Sequence, residues 1–472
     1  MQVVIHADAS TGIGAGHVVR SLALAAALRD LGARVILASD QLPASFTERA
    51  ARVGVDVVDR RMAPRDPDWV VVDGYHLADL APSAIANPGA KRALIVDFGG
   101  DVRNAAIVVD PNLDAHALGY PSDPERLAGP AYALLRAEFA ESQAERGQPE
   151  IADRILVTLG GADPRDATRL VVAALAEADP QPQVRVVIGA AHPAPDQVEA
   201  DARAAGFEAI RDASSMAPHL AWADLVISGC GSGVLEAARL GRPLLGIVLA
   251  DNQRRVAAAV LKGRLGLILG EHPGITADDV IEGLGKMRMD RRLRDSISRR
   301  GPDLVDGHGA LRVARALTTG PLGLRTAALD DADRLLEWRN DRSSREASFD
   351  PRPIDRSTHF SWLEARLSSS GHHIWIGELA GKPIGVVRFA IEGPVATASV
   401  ALDAEWRGQG VGTRLISTGC ARLREIDGSI GFQALIRPGN RASLRAFQLA
   451  GFEVGSVEPD RLRMHLNPKP VG

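Results

Sequence analysis

DLVISGCGSGVLEAARLGRPLLGIVLADNQ, residues 224–253, decides the architecture of the chain around it. An apolar run, DLVISGCG (224–231), ends in small residues and leads into a segment of helical period from Ser232 to Leu240. PLLGIVL (243–249) then resumes the apolar run. Strand, glycine turn, helix and second strand make a parallel unit whose strands are covered on both faces. Gly229, Gly231, Ser232 and Gly233 stand at the turn. There the backbone can approach a ligand closely, and the free N–H groups of a helix start favour an anion. Glu236, one turn on, is placed to accept both hydroxyls of a ribose, and Asp251, Asn252 and Gln253 lie within reach of sugar or phosphate. A plainer reading stands beside this one. The glycines would serve only close strand-to-helix packing, and DNQ would only cap a helix.

The same alternation runs outward in both directions. Before it lie RILVTLGG (154–161) and QVRVVIGAA (183–191), and before those VVIHAD (3–8), RVILASD, VDVVD, WVVVDG, ALIVDF and AAIVVD, with helical segments between. The polar stretch ESQAERGQPE (141–150) divides the strands into two α/β series. The reading is therefore two doubly wound domains, 1–145 and 150–315, with a cleft between the carboxyl ends of their strands, where ligands bind in such sheets. HGA...LTTGPLGLRTA (308–327) reads as a linker to a third domain, 324–468. Its order is two helices (332–340, 356–368), three strands, a helix (410–424), a strand, a helix (441–450) and a last strand, an α+β pattern.

Composition narrows the partners. The 472 residues suffice for about three domains. With 46% hydrophobic residues, 24% charged residues and a formal net charge of -4, the chain is an ordinary globular protein without a basic field for nucleic acid. Cys230 and Cys420 are the only cysteines, too few for a disulfide framework or a cysteine-rich metal site, and they suit a reducing compartment. No run reaches the roughly 18 apolar residues that span a bilayer, and MQVVIHADAS reads as a first strand rather than a signal peptide. The expectation is a cytoplasmic protein with no metal, nucleic-acid or membrane partner; the oligomeric state stays open.

The first strand runs into DASTGIGAGHVVR, which sets Gly12, Gly14 and Gly16 before a helix from about Gly16 to Leu31. The spacing is not the dinucleotide pattern. His17, where strand meets helix, faces the expected cleft and can take a proton near neutral pH. A histidine that only caps or packs is the alternative.

HADASTGIGAGHVVR, VVDGYHL, ALLRAEF, VTLGGADPR and the loop through DNQ together resemble the UDP-sugar hydrolases of pseudaminic acid biosynthesis. That family is itself similar to the MurG-type glycosyltransferases, whose two doubly wound domains form the glycosyltransferase-B fold. The resemblance covers about residues 1–315. It implies hydrolysis of UDP-2,4-diacetamido-2,4,6-trideoxy-altropyranose to UDP and free sugar. It places the catalytic histidine at His17 and the cleft tyrosine and aspartate at Tyr75 and Asp73; with the loop residues, the expected substrate-binding set is Gly14, Gly16, Arg20, Asp73, Tyr75, Gly229, Gly231, Ser232, Glu236, Asn252 and Gln253. The chain departs from the family at Asp97, which Phe98 follows where a second aspartate is usual, and in the loop Gly229-Cys230-Gly231-Ser232. The chemistry is compatible with one base. Glycosidases need a second carboxyl group to protonate an alkoxide, whereas UDP leaves well without one, so a histidine that activates water suffices.

In the third domain, WRGQGVGTRLI (406–416) places Arg407, Gly410 and Gly412 in the pattern Arg/Gln-x-x-Gly-x-Gly/Ala, and IRPGNRASLRAFQLAGF (436–452) follows with Asn440, Ser443 and Gly451-Phe452. These segments resemble the GCN5-related N-acetyltransferases. The backbone N–H groups of Gly408, Gln409, Gly410, Val411, Gly412 and Thr413 are suited to the pyrophosphate of acetyl-CoA, the expected cosubstrate, with Arg407, Asn440 and Ser443 assisting. LLEWRNDRSSREASF and HFSWLEARL resemble the 4-amino-sugar acetyltransferase of the same pathway, acting on UDP-4-amino-4,6-dideoxy-AltNAc, with Trp338, Arg339 and Asn340 on the acceptor side. Trp338 and Trp362 read equally well as packed core residues. The tyrosine that many acetyltransferases use as an acid is Phe447 here, which leaves water or His359 to relay protons.

The two resemblances name consecutive steps on one nucleotide sugar. The alternatives are a MurG-like glycosyltransferase in the front half and an acetyl-CoA-binding module without turnover in the rear.

Overall fold

The computed structural model describes residues 1–10, 14–74, 77, 87–97, 102, 104–117, 123–144, 147–163 and 165–466. In chain order the strands are β1 (Gln2–Ala7), β2 (Arg34–Ala38), β3 (Asp56–Val58), β4 (Trp69–Asp73), β5 (Lys91–Ile95), β6 (Ile107–Asp110) and β7 (Glu125–Ala128). Then come β8 (Arg154–Thr158), β9 (Gln183–Ile188), β10 (Glu208–Arg211), β11 (Leu225–Gly229), β12 (Leu244–Val248) and β13 (Gly266–Glu271). The last are β14 (Leu322–Thr326), β15 (His372–Leu379), β16 (Lys382–Glu392), β17 (Val395–Leu402), β18 (Gly431–Ile436), β19 (Glu453–Val457) and β20 (Leu462–Leu466).

The chain divides into two compact units. Residues 1–101, 111–115 and 130–314 form the first, and residues 102–110, 116–129 and 315–472 the second. The first unit contains both doubly wound sheets that the strand pattern implies. One runs β3-β2-β1-β4-β5, parallel throughout. The other runs β10-β9-β8-β11-β12-β13, also parallel. Their central strands are apolar without alternation because helices cover both faces. Val3, Val4 and Ile5 of β1 are fully buried, each contributing roughly 1.5–3 kcal/mol through burial. Chain order reverses at β1/β4 in one sheet and at β8/β11 in the other, and a crevice opens outside the carboxyl ends of strands at such a reversal. Each reversal carries a glycine loop.

The second unit is built on a sheet in the order β14-β15-β16-β17-β18-β20-β19. All neighbours are antiparallel except β17 and β18, which run parallel. Those two pair only from Val395↔Gly431 to Thr397↔Gln433. Beyond Thr397 they diverge and leave two backbone edges facing an opening. One sheet face packs Val387 and Phe389 under the helices Val411–Ile426 and Arg441–Leu449. The other packs Val386 and Ile376 under the helices Ala332–Asn340 and Arg356–Leu367.

One reading of the sequence needs correction. The stretch 308–327 is no linker: it forms the helix Gly309–Thr319 and the edge strand β14. Val313, Ala314 and Leu317 make one apolar helix face, buried to 1% exposure or less, that the glycines and threonines around it obscured. The parallel pair β6–β7 lies in the second unit. There Glu125, 1% exposed at its side chain, accepts two charged hydrogen bonds of 2.7 Å from Arg414 in the first turn of Val411–Ile426, and one of 2.8 Å from the Leu322 N–H. Among the described residues no helix is long and apolar enough to cross a membrane.

Candidate functional site

The glycine loops after β1 and β11 line one cleft in the first unit, a cavity of about 730 Å3. That volume is in the usual range for an organic ligand, roughly 300–1,000 Å3. Gly14, Gly16, His17 and Arg20 contribute from one sheet; Gly229, Gly231, Ser232, Glu236, Asn252 and Gln253 contribute from the other. The loops approach closely: a Cβ on Gly16 would stand 3.7 Å from Ser232 Oγ, and one on Gly161 would stand 3.0 Å from Ala15 Cβ. Gly14 has φ +82°, a left-handed turn that glycine adopts freely. The first backbone bond inside the helix Gly16–Asp30 is from Val19 N–H to the Ala15 carbonyl. The N–H groups of Gly16, His17 and Val18 therefore precede the helical ladder, as at any helix start suited to an anion.

Beside that helix start, His17 is held by charge. Its Nδ1 lies 2.7 Å from Asp73 Oδ1 at the end of β4. Asp73 is completely buried and also accepts from Arg20 Nε at 2.8 Å, Arg20 Nη2 at 2.6 Å and Ser21 Oγ at 3.0 Å. Arg20 in turn reaches Asp97 at 2.5 Å. Burial alone would push the Asp73 carboxyl up, but the Arg20 guanidinium, with further help from Arg20 and His17 hydrogen bonds, holds it below its usual range. Asp73 is thus a fixed anion behind the imidazole, the arrangement that orients a histidine to take a proton from a small molecule.

This geometry changes the roles of two residues. Asp73, read as a substrate ligand, does not line the cleft; its oxygens are occupied by His17, Arg20 and Ser21. Arg20 lines the cleft but is directed at Asp73 and Asp97. Tyr75 lies outside the described residues. Sequence reasoning did not find Asp97 or Arg136 as parts of the site. Asp97 follows β5, whose end neighbours that of β4, and Arg136 lies within the quoted ALLRAEF. Arg136 Nη2 stands 3.5 Å from Glu236 Oε1. Burial pushes the Glu236 carboxyl up against the pull of Arg136. Because Arg20, Arg49 and Arg136 each already face a carboxylate, attraction for an anion falls mainly to backbone N–H groups.

Gln253 Oε1 accepts the Leu249 N–H at 2.9 Å, which fixes the turn after β12. Cys230 and Cys420 are buried, and burial pushes both thiols up to about 12, so neither is a thiolate at neutral pH. Asp163, Asp166 and His192 bring ligand-type atoms within 4.8 Å of one another. Their chemistry does not fit a metal ion. Asp163 accepts from Ala167 N–H, Thr168 N–H and Thr168 Oγ1. His192 Nδ1 accepts from Ala194 N–H, which leaves the neutral ring's proton on Nε2, facing Asp163 at 3.5 Å. A protonated ring nitrogen has no lone pair for a metal, and Asp163 caps the helix Ala167–Ala176.

In the second unit, Gly408 (φ +73°) and Gly410 (φ +80°) turn the chain into the helix Val411–Ile426. The first intrahelical bond runs from Arg414 N–H to the Gly410 carbonyl, so the N–H groups of Val411, Gly412 and Thr413 precede the ladder. A Cβ on Gly408 would meet nothing within 4 Å, which leaves room over the loop. The residues present fit a pyrophosphate of acetyl-CoA, with the opening beyond Thr397 beside them. The side chains expected to assist are otherwise engaged. Arg407 donates to the Leu402 carbonyl at 3.0 Å and pairs with Asp341 at 2.8 Å, bracing the loop. Gln409 Nε2 donates to the Glu405 carbonyl at 2.6 Å. Thr413 Oγ1 is turned toward the Ala446 carbonyl at 3.4 Å. Asn440 caps the helix Arg441–Leu449 by accepting the Ser443 N–H at 3.1 Å.

On the acceptor side, Trp338 is 3% exposed in the core, and its indole N–H donates to Asp403 at 3.1 Å. Asn340 exchanges two hydrogen bonds with the backbone of Ile354, and Arg339 donates to the Asp350 carbonyl. These side chains shape a loop; Trp338 is core, as aromatic residues at helical spacing usually are. Phe447 packs edge-on against Phe452 and offers no proton.

The profile described as Acetyltransferase (GNAT) family matches residues 332–452. The chain is 30% identical to the L-2,4-diaminobutyric acid acetyltransferase of Streptomyces avermitilis over 131 residues, 27% of this chain and 69% of that protein. It is 25% identical over 331 residues to the spore coat polysaccharide biosynthesis protein SpsG of Bacillus subtilis, covering 67% of this chain and 98% of that one. The crystal structure of MurG from Acinetobacter baumannii superposes on 67% of this chain and 99% of its own, with 16% identity and a TM-score of 0.48.

Proposed function

Since the C-terminal part of this chain belongs to the GNAT acetyltransferase family, we propose that it N-acetylates an amino group of a UDP-sugar and that the first unit then hydrolyses the acetylated product to UDP and free sugar. The substrate in this reading is UDP-4-amino-4,6-dideoxy-AltNAc and the product the free 2,4-diacetamido sugar. The observation that carries the hydrolytic half is the His17–Asp73 pair, 2.7 Å apart, beside a glycine-lined helix start in a cleft. The likeness to a polysaccharide biosynthesis protein over nearly its whole length supports a sugar substrate.

In the first unit, His17 takes a proton from water while the oxygen attacks the anomeric carbon. The bond from that carbon to the UDP oxygen breaks, and its electron pair leaves with the diphosphate, stabilised by the helix starts at Gly16–Val18 and at Ser232 and Gly233. Attack opposite the leaving group inverts the anomeric centre. Asp73 balances the imidazolium formed, Arg20 keeps Asp73 charged, and Asp97 holds Arg20 in place.

In the second unit, acetyl-CoA supplies a thioester whose pyrophosphate the Gly408–Thr413 backbone holds. The extended amide arm matches the unpaired edges of β17 and β18. Holding the amine beside the thioester supplies most of the rate. The amine attacks the carbonyl carbon, the carbon–sulfur bond breaks, and the thiolate leaves with a proton derived from the amine.

The test is mass spectrometry of one incubation containing the full chain and the 4-amino UDP-sugar, with or without acetyl-CoA. The expected course is acetyl-CoA-dependent gain of one acetyl group, followed by UDP and a diacetamido sugar. An unchanged nucleotide sugar under both conditions would remove the reading.

A further inference from the structure

The second unit contains a polar cluster that the acetyl-CoA loop does not use. Arg388 projects from β16 on the sheet face under the helices Ala332–Asn340 and Arg356–Leu367, and its Nε donates to Ser399 Oγ on β17 at 3.2 Å. Its guanidinium carbon lies 5.7 Å from the centre of the Trp362 ring, whose other neighbour is His359, stacked at 5.5 Å. Arg339 gives Nη2 to the Asp350 carbonyl at 2.8 Å, while its Nη1 is buried with no hydrogen-bond partner. His359 is 4% exposed, and its Nε2 also lacks a partner.

The electrostatics of this cluster are unbalanced. Among the described residues no carboxylate pairs with Arg388, and burial together with Arg339 pushes its pKa down. Burial likewise pushes the His359 imidazole down, with Arg388 and Arg339 adding to the effect. Arg414, the buried arginine of the same unit, shows the contrast: it receives both carboxylate oxygens of Glu125. A desolvated guanidinium without a counter-charge is costly, and structures keep one where a ligand supplies the missing charge. Location gives the ligand. Ser399 lies two residues past Thr397, where β17 and β18 cease to pair, so Arg388 stands at the opening in which the thioester must meet the amine.

We infer that Arg388 and Arg339 form a seat for an anionic group on the amine acceptor, a phosphate or a carboxylate, beside the Trp362 face. The inference rests on the acetyltransferase reading of this unit. It deepens that reading by requiring the acceptor to carry negative charge near the amine. On a UDP-amino sugar the diphosphate fills the seat; on an amino acid the carboxylate does. Arg388 and Arg339 act by binding and orienting the acceptor, and no proton passes through them.

The experiment uses the full chain and matched pairs of acceptors: the 4-amino UDP-sugar against the same amino sugar without UDP, and 2,4-diaminobutyrate against the same diamine without its carboxyl group. Release of CoA thiol gives kcat/KM for each. In the wild type the anionic member of one pair should be preferred at least about tenfold, the worth of a charge-assisted hydrogen bond. In Arg388→Met that preference should fall to within about twofold, while KM for acetyl-CoA stays unchanged and Arg388→Lys recovers part of the preference. Arg339→Met provides a second variant with the same expected direction. Which pair responds identifies phosphate or carboxylate. A response confined to diaminobutyrate keeps the seat and removes the nucleotide-sugar acceptor. Absence of an Arg388-dependent preference in both pairs overturns the seat, whatever the fate of the acetyltransferase reading.

Discussion

Replacing Asp73 with Asn tests the cleft most searchingly, because it changes one charge and almost no volume. Asp73 receives His17 at 2.7 Å, Arg20 at 2.8 and 2.6 Å, and Ser21 at 3.0 Å, all while buried. An amide keeps one acceptor oxygen and presents an NH2 group where donors already converge, so at least one charged contact becomes a donor–donor clash. Breaking a buried ion pair usually costs about 3–5 kcal/mol. Here Asp97 still holds Arg20 at 2.5 and 3.1 Å, which brings the expected stability loss down to roughly 2–4 kcal/mol. The catalytic loss has a separate origin. Without a carboxylate on Nδ1, the imidazole loses the partner that fixes its orientation and balances its charge once it takes the water's proton. The expected loss is on the order of 100- to 10,000-fold in kcat for UDP release. Coupled detection of UDP measures it, and acetyl transfer by the second unit in the same sample, expected at the wild-type rate, shows that the chain is folded. UDP release within a few-fold of wild type from a folded Asp73→Asn protein would refute the role given to the pair.

Gly410→Glu should raise KM for acetyl-CoA at least about tenfold, because φ at this position is +80° and the new carboxylate would face the pyrophosphate. UDP release from the acetylated UDP-sugar should remain as in the wild type; loss of both activities would show that the change acts on folding rather than on the loop. His6 gives a stability prediction. Burial, with Arg60 nearby, pushes its imidazole down to about 4 from 6.5, and neither ring nitrogen has a hydrogen-bond partner. The unfolded chain therefore binds this proton below about pH 6.5 while the folded one does not, so stability is complete above that pH and falls as the pH drops toward 4. The contribution is roughly 3 kcal/mol across that range, and denaturant unfolding of His6→Leu should show a correspondingly flatter dependence between pH 6.5 and 4. An unaltered slope would contradict it.

How far the sequence could be read depended on whether a feature was local. The parallel strands and their glycine turns were legible because continuous apolar runs and helix starts are set by neighbouring residues; the ends of β1, β4, β8 and β11 stand within three residues of those of the runs quoted for them. The helix Gly309–Thr319 was not, because its buried side chains are mostly alanines, Ala310, Ala314 and Ala316 beside Val313 and Leu317, and flanking glycines and threonines read as a linker. In the site, the cleft-facing glycines followed from the loops. The ionic chain His17–Asp73–Arg20–Asp97 did not, since its members come from one helix and two strand ends that only tertiary packing brings together. Arg388 was invisible for a similar reason: in PIGVVRFAIE it is one of two charges in an otherwise apolar strand, and its significance lies in having no carboxylate partner among the described residues.

The central claim is that water, activated by His17, is the nucleophile at the sugar carbon. Incubation of the acetylated UDP-sugar with the full chain in heavy-oxygen water, followed by mass spectrometry after a single turnover, tests this directly. The account predicts one heavy oxygen in the free sugar and none in the UDP, with the signal lost in His17→Ala. Label in the UDP, or a sugar transferred to another acceptor without label, would contradict it.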